Sequence, residues 1–342
     1  MALSKESSNI RSDEPNSHTV IANSYTPELN KTRSAYKPLG SEVTPIHLPD
    51  SQCLIQPQVP LAKLTSFRVG GPAELYVAPR NLTDLQASLA WANHQGVNTT
   101  LLGAGTNLLV SDRGIPGLVI CTRYLRSSIF NIDAGQITAA AGEPIARLAW
   151  QVAERGWSGL EWAVGIPGTV GGAVVMNAGA HAASIADILV DTCVLSSNGT
   201  LDTLSTNQLG YTYRTSNLQG ATWLVTQATF QLNPASDPKR VLAQTSAHLE
   251  HRRTTQPYHL PSCGSVFRNP SPRAAGWLIE QAGLKGHQIG GAQVAQRHAN
   301  FILNIGNATA SDIFHLIQHV QHQVERQWSL WLYPEVKLLG EF

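Results

Sequence analysis

Apolar positions along this chain recur with strand or helix periods over most of its length, but not at its start. Residues 1 to about 60 show neither period and are rich in Ser, Thr, Asn and Pro, so a mostly disordered extension is expected there. From Leu64, LTSFRVGGPAELYVAP alternates into a strand, turns at Gly70-Gly71-Pro72 and leaves on a second strand. Thr83 is placed to cap a helix whose Leu85, Leu89 and Ala92 share one face and which stops at Gly96. VNTTLL then leads into LLGAGTNLLV, Leu101 to Val110, where two short apolar runs meet across a glycine-rich corner. A second helix carries Ile145, Leu148, Ala149 and Val152 on one stripe, ends at Gly156 and runs into GLEWAVGIPGTVGGAVVMNAG, which has no helical charge pattern.

Strand-like runs continue through DILVDTCVLSSNGTLDTL, with Asn198-Gly199 as a hairpin turn, and through ATWLVTQATFQL. The segment from Asn233 to Pro238, NPASDP, is the best internal boundary. Beyond it are expected a polar helix from about Lys239 to Arg253, the loop PSCGSVFRNP, a short helix AAGWLIEQAG, and a long amphipathic helix from Asp312 to about Gln327.

Composition narrows the class. A chain of 342 residues with 42% apolar content is enough for two or three domains, each with a core. A formal charge of +1 gives no electrostatic case for nucleic acid or an anionic membrane, so any anionic ligand must be met locally. The four cysteines form no CxxC pair, which suggests neither a zinc knuckle nor a disulfide framework and fits reduced thiols in the cytoplasm. No run is long enough for a membrane span, and the N-terminus lacks the apolar core of a secretion signal. Six acids in the extension argue against a transit peptide. A soluble, cytoplasmic monomer is expected.

The corner Gly103-Ala104-Gly105-Thr106-Asn107-Leu108 bares backbone N–H groups at the end of a sheet, and bared N–H groups bind anions. Leu108 stands where a GxGxxG motif would place its third glycine, so a Rossmann domain is disfavoured. An ordinary glycine turn would look the same. A second segment changes the balance: Gly165, Ile166, Pro167, Gly168, Gly171 and Gly172, beside small Ala173 and Ala178, would let backbone lie against a large flat ligand. The alternative is a glycine-rich core crossing, but two such loops together favour a ligand.

His315, His319 and His322 invite a metal reading. On a helix they fall opposite Ile313, Leu316, Ile317, Val320 and Val324, on the solvent face, with no acid or cysteine among them, so no metal site is expected. Arg214, in Tyr213-Arg214-Thr215-Ser216, is either a carboxylate clamp or a surface arginine. Ser265 in GSVFRNP is either an aimed hydroxyl or part of a capped turn, and no Ser-His-Asp triad is evident around it. Glu335 in LWLYPEVKLLGEF either faces solvent or is half-buried, in which case it needs a partner or a raised pKa.

TSFRVGGPAELYV, LLGAGTNLLVSD, GLEWAVGIPGTVGGAVVMNAGA, YRTS, GSVFRNP, AGWLIEQAGLKG, HANFILN and PEVKLLGE occur in one order from about Leu64 to Phe342. In these motifs the chain resembles the UDP-N-acetylenolpyruvoylglucosamine reductase (MurB) family of flavoproteins. The resemblance implies an α+β protein. An FAD-binding module of the vanillyl-alcohol-oxidase (PCMH) type would span 61–234, in subdomains of about 61–122 and 123–234, with a substrate domain over 239–342. It further implies non-covalent FAD held by the two glycine loops, NADPH as first reductant, and the enolpyruvyl ether of UDP-N-acetylglucosamine as the substrate then reduced to UDP-N-acetylmuramate.

Arg214 matches the family's arginine that engages the substrate carboxylate and stabilises the enolate-like charge. Ser265 matches the proton donor, and Glu335 the third catalytic residue, acting beside Arg214 as carboxylate or as protonated acid. Asn269 and Lys285 match substrate-binding positions, the lysine suiting a diphosphate. Arg214 and Ser265 lie only 51 residues apart, so the chain looks like the branch without an inserted tyrosine loop. The rival readings are another FAD oxidoreductase on the same module, a sugar-lactone or hydroxy-acid oxidase, and a catalytically silent nucleotide-sugar binder.

Overall fold

A computed structural model describes residues 44–49 and 51–342, and the described part begins with a mixed sheet. In order come β1 (Ile46–His47), β2 (Leu54–Pro60), β3 (Pro72–Val77), α1 (Leu82–Gln95), β4 (Thr99–Leu102), β5 (Leu108–Val110) and β6 (Ile115–Cys121). All but β5 join one sheet, β1-β2-β3-β6-β4, in which β3, β6 and β4 run parallel because α1 supplies the crossover. Leu85, Leu89 and Ala92 of α1 pack on Leu75, Val77, Leu118 and Ile120 of the sheet.

Three expectations change here. Of the expected disordered extension, residues 1–43 and Asp50 lie outside the described residues, but β1 and β2 precede residue 60 and pair into the sheet, so regular structure begins earlier than expected. The first half of LTSFRVGGPAELYVAP is no strand. Leu61–Leu64 forms a 3-10 turn, and the Ser66 amide donates to the Gly105 carbonyl at 2.9 Å, so this segment spends its hydrogen bonds on the glycine corner. Finally, Asn81 rather than Thr83 caps α1, its side chain accepting from the Asp84 amide at 2.8 Å.

A second, antiparallel layer follows. It contains β7 (Ser128–Asn131), β8 (Gln136–Ala140), α2 (Ile145–Glu154), α3 (Val170–Val175), β9 (Gly179–Ala180), β10 (Ala183–Ser184), β11 (Leu189–Leu195), β12 (Leu201–Ser205), β13 (Leu224–Gln231) and α4 (Pro238–Thr255). The sheet order is β12-β11-β13-β8-β7, with the Asn198-Gly199 turn joining β11 to β12 as expected. The expected stripe of α2, Ile145, Leu148, Ala149 and Val152, is buried against the sheet. The glycine-rich segment after it, read as free of helix, contains α3, a single turn and a half whose cap is Thr169. α4 packs on α2 and buries Val241 and Thr245, while Leu249 rests on the core of this sheet. Residues 239–255 therefore pack with the second layer, whereas the sequence places this polar helix at the start of the substrate domain.

The remainder comprises α5 (Ala275–Gln281), β14 (Gln288–Ile289), β15 (Ala292–Val294), β16 (Ile302–Asn304), α6 (Ala310–Trp328) and β17 (Lys337–Leu339). α6 lays Ile313, Leu316, Ile317, Val320 and Val324 into a core that also takes Phe67, Val69 and Leu109 from the first layer. Phe67 is fully buried there, and its carbonyl accepts from Asn304 Nδ2 at 2.9 Å. Burying one such ring contributes about 1.5–3 kcal/mol, which fastens the C-terminal part to the first layer. β17 then pairs with β5 in parallel, Lys337 opposite Leu108. That pairing returns the C-terminus to the glycine corner.

Candidate active site

The two glycine loops meet. Thr106 Oγ1 in the corner donates to the Pro167 carbonyl in the second loop at 3.0 Å, across 61 residues of sequence. Between the loops there is room for backbone but little else. A Cβ on Gly103 would lie 3.0 Å from Thr169 Oγ1, and one on Gly168 would lie 3.3 Å from Thr106 Oγ1. Gly105 has φ +70° and its Cβ would stand 2.1 Å from the Leu64 carbonyl oxygen, so only glycine fits. The amides of Ala104, Gly105 and Thr106 donate to no protein acceptor among the described residues. Two further glycines of the second loop also have a packing reason to lack a side chain. The missing Cβ of Gly165 is explained by the Arg252 side chain, 2.2 Å away, and that of Gly171 by Ala141, 2.9 Å away.

Arg214 sits at the tip of a turn closed by reciprocal Thr212 and Thr215 backbone hydrogen bonds, each 3.1 Å, with φ +56° at the arginine itself. Its Nε donates to Glu335 Oε1 at 2.9 Å and its Nη2 to the Gly179 carbonyl at 2.8 Å. Nη1 has no protein partner among the described residues. Glu335 is half-buried just ahead of β17; its amide donates to the Val266 carbonyl at 2.7 Å and its carbonyl accepts from Asn107 Nδ2 at 3.2 Å. Burial raises the Glu335 carboxyl above the usual glutamate range, against the opposing pull of Arg214, Arg268 and Lys337. Three cations thus surround one carboxylate, and the surplus positive charge suits a ligand that brings a carboxylate of its own.

Val266, which receives the Glu335 amide, also donates to the Asn300 carbonyl at 2.8 Å, and Gly264 before it has φ +83°. Between them is Ser265, whose hydroxyl donates to nothing among the described residues. It lines a cavity of about 280 Å³ with Asn269, Trp277, Glu280, Arg297 and His298. Lys285 reaches the rim of this cavity through a 2.7 Å ion pair with Glu280. The structure therefore joins Arg214 to Glu335 directly, ties Ser265 to Glu335 through one intervening residue, and groups Asn269 and Lys285 with Ser265.

Comparison with known proteins decides the family. An FAD-binding-domain family model matches residues 73–205, and a model of the C-terminal domain of UDP-N-acetylenolpyruvoylglucosamine reductase matches 256–339. The reductase of Nostoc punctiforme is 64% identical over 304 residues, covering 89% of this chain and 91% of that protein. The reductase of Synechocystis sp. is 55% identical over 310 residues, covering 90% and 98%. Among solved structures, the MurB of Thermus caldophilus is 32% identical and superposes with a TM-score of 0.72 over 84% of this chain and 99% of that one. The chain belongs to the UDP-N-acetylenolpyruvoylglucosamine reductase family.

It is accordingly a flavin-dependent oxidoreductase whose FAD-binding module precedes a C-terminal domain. The reductase C-terminal match separates it from a sugar-lactone or hydroxy-acid oxidase. The glycine loops fit the cofactor: unspent amides at Ala104 to Thr106 suit a pyrophosphate, and Gly103 and Gly168 leave a cleft that a Cβ would fill.

Arg268, Lys337 and Gln219 went unnoticed in the sequence. Arg268, in GSVFRNP, and Lys337, in PEVKLLGE, lie inside motifs that carry the resemblance, whereas Gln219 lies outside them, and each meets the Arg214–Glu335 pair only through tertiary contacts. Of the α6 histidines, His315 and His322 are exposed as expected, but His319 is half-buried because it stacks on His287 with centroids 4.2 Å apart. No group of three potential ligands that could hold a metal occurs among the described residues.

Proposed function

We propose that Arg214, Glu335 and Ser265 carry the reduction of UDP-N-acetylglucosamine enolpyruvate to UDP-N-acetylmuramate, with NADPH as reductant, in peptidoglycan precursor synthesis. The observation that carries this assignment of residues is the Arg214–Glu335 ion pair, which joins a turn of the flavin module to the C-terminal domain at 2.9 Å. FAD, when bound, supplies the two-electron chemistry that couples NADPH oxidation to saturation of the enolpyruvyl double bond. In that change the terminal vinyl carbon gains a hydride and the carbon bearing the carboxylate gains a proton.

Arg214 meets the substrate carboxylate with Nη1 while Glu335 and Gly179 hold its other nitrogens. A fixed guanidinium there stabilises the negative charge that develops beside the carboxylate, and does so without reorganising. Glu335 orients the guanidinium and its ionisation sets the local charge. Ser265 delivers the proton from Oγ. A serine is a weak acid, but the acceptor is strongly basic and the hydroxyl stands next to Val266, whose amide and carbonyl are both hydrogen-bonded. Asn269, on the same cavity, and Lys285, paired with Glu280 of its lining, bind the nucleotide-sugar part, with Lys285 as a point charge toward the diphosphate. NADPH and a UDP sugar are cytoplasmic metabolites, which supports a cytoplasmic site of action, and the reading includes a monomer of 36.9 kDa.

The test separates the half-reactions. Purified protein should be yellow, bleach with NADPH under anaerobic conditions, and recover its colour on addition of the enolpyruvyl substrate. Ser265→Ala should bleach normally but recover about 10²–10⁴-fold more slowly, the range for a lost general acid. If it slowed both steps equally, Ser265 would not be the proton donor. Rapid recovery with oxygen alone would favour an oxidase.

A further inference from the structure

We propose that Gln219 and Lys337 form a positioning pair that holds the Arg214 turn in its working conformation, an inference that rests on the reductase reading above. A bulky residue at φ +56° is strained by about 1–3 kcal/mol and persists only where its surroundings over-determine it. The surroundings of the turn are partly internal. Asn177 Nδ2 donates to the Thr212 carbonyl at 3.0 Å, Ser216 Oγ to the Val175 carbonyl at 2.6 Å, and Thr212 and Thr215 close the loop on each other. None of these touches the backbone of residue 214.

Gln219 does. Its Nε2 donates to the Arg214 carbonyl at 2.9 Å and to the Val175 carbonyl at 3.1 Å, using both hydrogens. Its Oε1 accepts from Lys337 Nζ at 3.0 Å. The amide has one tolerable orientation, since a flip would set its NH₂ group against an ammonium and its oxygen against two carbonyls. Lys337 therefore dictates which way Gln219 points, and Gln219 grips the strained residue.

The lysine is itself well anchored. It opens β17, its amide donates to the Asn107 carbonyl at 3.0 Å, and Asn107 Nδ2 returns to the Glu335 carbonyl at 3.2 Å. Burial and the facing Arg268 depress the Lys337 ammonium from its ordinary pKa, with Glu335 opposing, yet among the described residues its one hydrogen-bond partner is Gln219. A half-buried cation directed at a neutral amide, two residues from a carboxylate, is explained by what that amide holds. Arg214 is thus fixed from two sides that both originate in the C-terminal strand: its side chain by Glu335, its backbone by Lys337 through Gln219.

The test uses the FAD-loaded enzyme and four variants: Lys337→Met, Gln219→Leu, the two combined, and Gln219→Glu. The last keeps the size and the partner of Lys337 but turns an acceptor toward the Arg214 carbonyl. Each should slow recovery of flavin colour by the enolpyruvyl substrate by about 10- to 100-fold, as expected when a catalytic group is displaced by up to an ångström. NADPH bleaching and the thermal midpoint should stay near wild type, and calorimetric affinity for UDP-N-acetylmuramate should fall with the recovery rate. The combined variant should be no worse than either single one. Wild-type recovery rates in Lys337→Met and Gln219→Glu would overturn the inference, as would additive effects or a parallel fall in both half-reactions and stability. A wild-type protein that bleaches but never recovers would instead overturn the reductase reading itself.

Discussion

Two junctions in this molecule bring distant segments together, and they do it by opposite means. The glycine loops meet because side chains are missing: Gly105 fits under Leu64 and Gly168 beside Thr106 only as bare backbone, and the contact between the loops is a neutral hydroxyl on a carbonyl. The Arg214–Glu335 junction exists because side chains are present and charged, with Arg268 and Lys337 adding to the field around one half-buried carboxylate. The first junction should be intolerant of volume and indifferent to pH. The second should tolerate changes of volume and respond to charge. On the proposed reading the cofactor's cradle lies at the first junction and the substrate's chemistry beside the second.

The sharpest attempt to break this contrast is a single added methyl. Gly105→Ala places a Cβ 2.1 Å from a backbone oxygen that cannot move independently, at φ +70°, so flavin retention and folding should fail together, with at least about 2 kcal/mol lost. Gly172→Ala is its control. There the nearest atom to the new Cβ is Thr169 Oγ1 at 3.6 Å, an ordinary contact, and the fold should survive. Thermal melts of the flavin-free and flavin-loaded proteins separate the outcomes. A yellow, stable Gly105→Ala protein would show that volume does not govern the first junction.

The second junction should yield to charge. Arg214→Met keeps much of the stem but removes the cation, and should slow substrate-dependent recovery of flavin colour by about 10²–10³-fold, the range for a lost donor to developing negative charge. Bleaching by NADPH should stay within about twofold, because uncharged backbone, and not this arginine, forms the loops that would hold the flavin. Equal losses in both steps, measured by stopped flow, would mean that the two junctions are one functional unit.

The contrast also explains what could be read from sequence. Glycines that must be bare and a serine after a glycine leave local marks, so Gly103 to Leu108, Gly168 and Ser265 could be singled out, although a plain turn remained the alternative until the second loop and the family resemblance favoured a ligand. Arg214 and Glu335 were set side by side only by the family resemblance, because nothing in YRTS or PEVKLLGE itself says that 121 residues of chain fold back to join them. Gln219 left no mark at all; its role comes from a lysine 118 residues away. The same limit applies to the fold. α1 and α2 were legible from their own periodicity, whereas the segment around Phe67 imitated a strand because its apolar residues serve a core built from the other end of the chain.

Charge at the second junction carries a pH signature that the first should lack. The Glu335 carboxyl is raised above its unfolded value by burial, so between the two values the folded protein holds a proton that the unfolded chain has released. The stability linked to this group is fully present below the unfolded value, about 4.3, and is lost as pH rises through the folded one. Glu335→Gln removes that slope. Denaturation curves from pH 4 upward should show wild type losing stability relative to the variant, and a difference that is flat or opposite in sign would mean that Arg214, Arg268 and Lys337 together outweigh burial.

The smallest expected effect lies at the rim of the cavity. Lys285 is bound to Glu280 at 2.7 Å with both side chains partly in solvent, 29% and 49% exposed, so the pair adds little to stability, on the order of 0–1 kcal/mol. Its proposed use is as a point charge toward the diphosphate. Lys285→Met should leave the thermal midpoint and kcat nearly unchanged and raise KM for the enolpyruvyl substrate by roughly 3- to 10-fold, the mark of binding energy shared equally by ground state and transition state. Added salt should shrink the difference, because an exposed charge acts through screened water. A fall in kcat with KM unchanged would place Lys285 with the charges around Glu335, and the boundary between binding and chemistry in this domain would then lie inside the cavity rather than at its edge.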